Sequence, residues 1–246
     1  MRDAELLLPL TEEWDRELAS ADPLEFPGYA EALAAAPGES IRTGLVASAG
    51  VRAVLIQSDF EIFGGTMGAV AGEKIVRSFR RAVDQRLPVV AVTRTGGARM
   101  QEGMASLIQM PRTVTAVDEH ARSGLLSAIV YRSPTTGGVF ASWAALLDVR
   151  AAEPHATMGF AGPRVVRQVT GQAPPAGSHT EKGVENPLLH RNTGPDALSI
   201  FFYPKPHSWN GTPRTRRVPD STRATPSLHA CGLPCVGSAV RTGAAA

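Results

Sequence analysis

The chain has 246 residues, 43% of them hydrophobic, and a formal net charge of +2. This size and apolar content allow one α/β domain with a buried core plus extensions, and the near-neutral balance leaves no electrostatic footprint for nucleic acid. No apolar run approaches membrane-spanning length, and Met1-Arg2-Asp3-Ala4-Glu5 lacks the charged-then-apolar pattern of a leader, so a soluble cytoplasmic protein is expected.

Residues 1–40 read as an irregular arm, punctuated by Asp22-Pro23 and Phe26-Pro27-Gly28. A short helix over Tyr29–Ala36 is stopped by Pro37-Gly38. Two apolar stretches broken at Ser48-Ala49-Gly50 predict a hairpin whose second strand is Val51–Gln57. Gly64-Gly65-Thr66-Met67-Gly68 follows. Helical spacing then runs from Ala69 to Arg86, with Val70, Ile75, Val76, Phe79 and Val83 set against Glu73, Lys74, Arg77, Arg80 and Arg81.

Leu87–Val92 is wholly apolar and lies between two helical patterns, as a buried parallel strand does. Gly96-Gly97 follows it. The next helix spans about Met100 to Arg122, and Pro111 is expected to kink or split it. Leu125–Tyr131 is a strand, Pro134-Thr135-Thr136-Gly137-Gly138 a turn, and Val139–Leu147 an Ala-rich helix. Short strands at Asp148–Ala152 and Thr157–Gly159 precede a helix from Val165 to about Val169. The repeated order of strand, glycine turn and helix implies stacked βαβ units, with a site at the carboxyl ends of the strands. After Thr170 Gly, Pro, Ser, Thr and Arg dominate and apolar periodicity ends, which reads as a disordered tail.

The chemistry points to the backbone. A glycine pair leaves two N–H groups uncovered, and a helix N-terminus adds a positive dipole end, an arrangement suited to a developing oxyanion. Gly137-Gly138 carries this most strongly; the bland alternative is a tight turn that needs positive φ. At Gly96-Gly97-Ala98-Arg99, the polar Arg99, Gln101 and Glu102 read either as caps on a solvated face, or as a scaffold for the catalytic turn or a contact to an anionic ligand. Gly64-Gly65-Thr66-Met67-Gly68 matches neither the dinucleotide fingerprint nor the P-loop. No nucleophile elbow and no His-Glu-x-x-His occurs. His120, beside Asp118 and Glu119, reads as a solvated helix face, and His155 lies in a turn.

Taken together, Gly64–Gly68, Gly72-Glu73-Lys74, Gly96–Gly103, Pro134–Val139 and Glu153-Pro154 with Gly159–Val165 resemble the β-subunit family of bacterial acetyl-CoA carboxylase carboxyltransferases. The resemblance covers roughly Asp22 to Val169 and fades after about Gly177. It implies a crotonase-like fold of ββα repeats. The expected organisation is an arm (1–40), a carboxyltransferase domain (41–177) and an atypical tail (178–246). The implied activity moves carboxyl from N1′ of carboxybiotin to acetyl-CoA or a related acyl-CoA, forming malonyl-CoA within an ATP-dependent complex. Biotin would sit on a biotin carboxyl carrier protein, and an α-type carboxyltransferase subunit would complete a hetero-oligomer.

By motif match Gly137 and Gly138 form one oxyanion hole, and the α-type partner supplies the other. Gly64, Gly65, Gly96, Gly97, Ala98, Arg99, Thr136 and Gly162 line the substrate. Many family members begin with a four-cysteine zinc ribbon. Here Cys231 and Cys235 are the only cysteines, so no metal is expected. The alternatives are a malonyl-thioester decarboxylase subunit of the same fold, or a non-catalytic acyl-CoA-binding remnant.

Overall fold

Alternation of side chains sets up the sheet. In Val51–Ser58, Val54 and Ile56 point into one core, while Ala53 and Leu55 point into a second on the opposite face. A strand apolar on both faces must be covered on both, by elements packed above and below the sheet. The computed structural model describes residues 7–48, 50–173 and 191–192, and the expected tail lies outside them apart from the last pair.

The sheet runs in the order β1 (Glu12–Trp14), β2 (Ile41–Ser48), β3 (Val51–Ser58), β4 (Val89–Thr95), β5 (Ser127–Thr136), β6 (Val149–Ala152) and β8 (Arg191–Asn192); β7 (Met158–Gly159) pairs with the end of β5. The first three strands are antiparallel, including the expected hairpin, and β3 to β6 are parallel. Helices α2 (Ala69–Gln85) and α3 (Met104–Arg122) cover one face. Between helices and sheet lie Val54, Ile56, Ile75, Phe79, Ala91, Ile129 and Trp143. Each of the large members contributes roughly 1.5–3 kcal/mol by leaving water.

The arm is tied down at several points. β1 pairs with β2, Glu12 opposite Leu45. Asp15 is buried and takes Arg77 and Arg81 of α2 as ion-pair partners at 3.1 and 2.6 Å. Helix α1 (Tyr29–Ala35) buries Tyr29.

Three local expectations change. Pro111 does not split α3, which runs on through it. Pro111 and Leu107 both lie on the solvent side, so the Leu107 carbonyl that loses its amide partner meets water. The break comes earlier. Met100–Glu102 form a separate 3₁₀ turn, and Gly103 at φ 52° precedes α3. His120 is not on a solvated face: it is fully buried, edge-on to Phe79, with Nε2 3.3 Å from the Leu87 carbonyl. Burial holds its pKa below the ordinary histidine value.

Candidate active site

Three parallel strands end side by side, and each is followed by a glycine pair: β3 by Gly64-Gly65, β4 by Gly96-Gly97, β5 by Gly137-Gly138. The turns join one another through backbone. Gly96 N–H donates to the Gly64 carbonyl at 3.0 Å, and Met67 N–H donates to that of Gly97 at 2.8 Å. The Arg99 amide returns a bond to the Met67 carbonyl at 3.0 Å.

The second and third turns touch main chain to main chain. A Cβ on Gly97 would lie 2.9 Å from the Gly137 α-carbon and 3.1 Å from the Gly138 nitrogen. A Cβ on Gly137 would meet the Gly97 α-carbon at 2.9 Å. Gly97 sits at φ 112° and Gly137 at φ 67°. Glycine is therefore required at both positions by conformation and by space. Gly65 is a similar case, since a Cβ there would meet the Arg94 carbonyl at 2.1 Å.

The two amides of the third turn have different fates. Gly137 N–H donates to the Phe160 carbonyl at 2.9 Å, so it is engaged inside the protein. This corrects the expectation that both glycines present amides to substrate; Gly137 is needed for its shape. Gly138 N–H has no acceptor among the described residues. It lies in the first turn of α4 (Gly137–Phe140), where amides have no intrahelical acceptor. The turn is braced from behind: Ser142 Oγ donates to the Gly138 carbonyl at 2.6 Å, and Thr135 Oγ1 to the Thr93 carbonyl at 2.8 Å.

The other expected lining residues fall around this point. Gly96 is exposed, and Gly64, Ala98 and Gly162 are half-buried. Gly162 caps α5 (Pro163–Thr170), with open space where a Cβ would be. Thr136 is buried, its hydroxyl 3.4 Å from the Thr95 carbonyl.

Arg99 departs from expectation. Its side chain has 0% exposure, and its guanidinium lies in a knot of protein partners instead of facing a ligand. Nη2 pairs with Glu39 and donates to Ser40 Oγ at 2.8 Å and the Thr66 carbonyl at 2.9 Å. Nη1 reaches Ser20 Oγ, Tyr29 Oη, Glu39 and Glu102 at 3.1–3.2 Å. Phe63 lies beneath the guanidinium at 4.8 Å. Burial pushes the Glu39 carboxyl up, but Arg99 more than offsets this and holds it below the ordinary range. Burial and the bond to Glu102 push the Tyr29 hydroxyl up to about 12. Glu102 accepts from Tyr29 Oη at 2.6 Å and from the Ala69 amide at the head of α2. Of this knot, sequence reasoning singled out only Arg99 and Glu102. Ser20, Tyr29, Glu39 and Ser40 are 59 to 79 residues from Arg99 in the chain, and no spacing signal links them.

Among the described residues no group of three His, Cys, Asp or Glu is placed to hold a metal ion; Cys231 and Cys235 lie outside them. No described helix is long and apolar enough to cross a membrane.

A family model, the carboxyl transferase domain, matches residues 19–187. The chain belongs to the carboxyl transferase family. The match runs about ten residues past the point where the motif resemblance fades. The acetyl-CoA carboxylase carboxyl transferase subunit beta of Desulfitobacterium hafniense is 46% identical over 173 residues, 68% of this chain and 57% of that one. Its counterpart in Heliobacterium modesticaldum is 48% identical over 170 residues, 67% of this chain and 64% of that one. The chain thus spans under two thirds of the length of these relatives. Among solved structures, transcarboxylase 12S superposes with a TM-score of 0.66 at 24% identity, over 80% of this chain and 39% of that one, and shares the crotonase-like fold.

Proposed function

We propose that the chain is the β-type half of a biotin-dependent acyl-CoA carboxyltransferase, moving carboxyl from carboxybiotin on a carrier protein to acetyl-CoA or a related acyl-CoA. The observation that carries this reading is the unengaged Gly138 amide at the carboxyl end of β5, in a chain of the carboxyl transferase family. When bound, carboxybiotin would supply the carboxyl group and a base for the α-proton of the thioester. The enolate then forms its new bond to the carboxyl carbon. Gly138 N–H holds the thioester oxygen as it becomes negative, a contribution of about 2.7–4 kcal/mol for one such donor.

The further donor and the hole for the ureido oxygen come from an α-type partner. A stripe of exposed apolar side chains beside the second glycine turn, Met100, Met104, Leu107 and Ile108, is the kind of surface such a subunit covers. In this reading Gly64, Gly96, Ala98, Thr136 and Gly162 form the wall on the acyl-CoA side, and Gly65, Gly97 and Gly137 let the three turns close.

The test is to mix the chain with an α-type subunit and a biotinylated carrier, and to follow malonyl-CoA-dependent carboxylation of biotin. Activity is expected. Gly138→Pro removes the N–H and, in the variant that folds, lowers kcat by about 10²–10³. Gly138→Ala keeps the N–H; its Cβ meets the flexible Met110 tail at 3.0 Å and the Ala98 β-carbon at 3.4 Å, an ordinary contact, so most activity survives. Unchanged turnover in a folded Gly138→Pro variant rejects the assignment. Decarboxylation of malonyl thioesters without biotin would instead mark the chain as a decarboxylase subunit.

A further inference from the structure

The buried knot around Arg99 bridges three pieces of chain distant in sequence. Ser20, Tyr29, Glu39 and Ser40 come from the arm, Thr66 from the first glycine turn, and Glu102 from the second. Glu102 sits so close over the head of α2 that a Cβ on Gly68 would meet its Oε1 at 2.5 Å. There its charge faces the positive end of the α2 dipole. The knot balances itself: one guanidinium lies between two carboxylates, and the second carboxylate is compensated by the α2 amides. A guanidinium with partners at every nitrogen and no exposure resists displacement, because any shift leaves a buried charge unpaired.

Two residues before Arg99 in the chain, Gly97 packs against Gly137 and the Gly138 nitrogen with no side chain between. The Arg99 amide itself is bonded to Met67. A purely backbone path therefore leads from the knot to the unengaged amide.

We propose that Arg99 is a positioning residue: anchored by Glu39 and Glu102, it holds the 96–103 turn from the arm and so sets where the Gly138 amide stands, without touching substrate. The consequence for turnover rests on the carboxyltransferase reading above; the consequence for backbone order does not.

The experiment compares Arg99→Lys with Asp15→Asn. The second loosens the arm at Arg77 and Arg81, away from the glycine turns. Both variants lose melting temperature. In the reconstituted complex Arg99→Lys lowers kcat by about 10–100-fold, the scale of a misplaced donor, while the KM for acyl-CoA moves under about threefold. Asp15→Asn leaves kcat per folded molecule unchanged. Glu39→Gln also lowers kcat, and the double variant Arg99→Lys/Glu39→Gln costs little more than the larger single change, because both cut one link.

In the isolated chain, hydrogen exchange of the Gly137 amide speeds by roughly tenfold in Arg99→Lys but not in Asp15→Asn. Full kcat in Arg99→Lys, or an equal loss in Asp15→Asn, overturns the proposal. If the unmutated complex shows no carboxyl transfer, the functional reading fails instead, and the exchange comparison alone decides this one: selective acceleration upholds it, and equal rates overturn it.

Discussion

The seam between the second and third glycine turns and the knot around Arg99 lie two residues apart along the chain and are built on opposite principles. The seam has no side chains. Two main chains meet where a Cβ on Gly97 would lie 2.9 Å from the Gly137 α-carbon. The knot is built mainly of side chains, with three buried charges, their hydroxyl partners, the Thr66 carbonyl and the Ala69 amide. The seam depends on shape and fails if an atom is added. The knot depends on charge balance and fails if a charge is removed. Together they surround a buried backbone amide that has no acceptor of its own at the carboxyl end of β5: one neighbour is bare, and the next is held by charge.

That contrast can be broken from either side. Arg99→Met should have the largest effect, since it leaves Glu39 and Glu102 buried without their cation. A loss of about 3–5 kcal/mol is expected in denaturant melts, and adding Glu39→Gln and Glu102→Gln should return part of it. Gly137→Ala comes next. A left-handed φ of 67° and a contact at 2.9 Å act together, for about 2–4 kcal/mol.

A third prediction concerns His120, a buried titratable group outside both regions. Burial lowers its pKa from 6.5, so the unfolded chain takes up the proton first. Its contribution is intact above about pH 6.5 and is lost as pH falls, by up to about 1.4 kcal/mol per pH unit, until the folded pKa is passed. His120→Gln should flatten the slope of stability between pH 7.5 and 5.5, while variants of the seam should leave that slope alone. The smallest effect is expected at Gly96→Ala. Its φ is not positive and its Cβ meets nothing nearer than Thr66 Cγ2 at 3.5 Å, so stability should shift by under about 1 kcal/mol. A large loss there would mean that the seam extends one residue further than its contacts indicate.

Much of this was legible in advance. Leu87–Val92 is apolar throughout and became β4, which is buried between parallel neighbours. The spacing of Ile75, Val76 and Phe79 marked the buried face of α2. The Gly96 and Gly137 turns were readable because a strand that ends on two glycines must change direction there. Pro111 leaves α3 unbroken because a proline's cost depends on whether the carbonyl it orphans meets water or protein, and sequence does not say which. His120 was misread for a related reason. Asp118 and Glu119 beside it are charged, but a helix turns 100° per residue, and its neighbours' exposure says little about its own.

The amino-acid sequence by itself determined the order of strand, glycine turn and helix, and placed three bare turns at the ends of parallel strands. Those features are local, arising from side-chain periodicity and from the φ angles that only glycine adopts at low cost. Tertiary structure alone decided which amide is left without an acceptor. The acceptor that takes Gly137 and spares Gly138 is the carbonyl of Phe160, brought there by β7 pairing with β5. It also decided that Arg99 faces inward, because two carboxylates and three hydroxyls converge on it only when arm and sheet have closed. A hydrogen bond is satisfied by position in space, and chain separation carries no record of it.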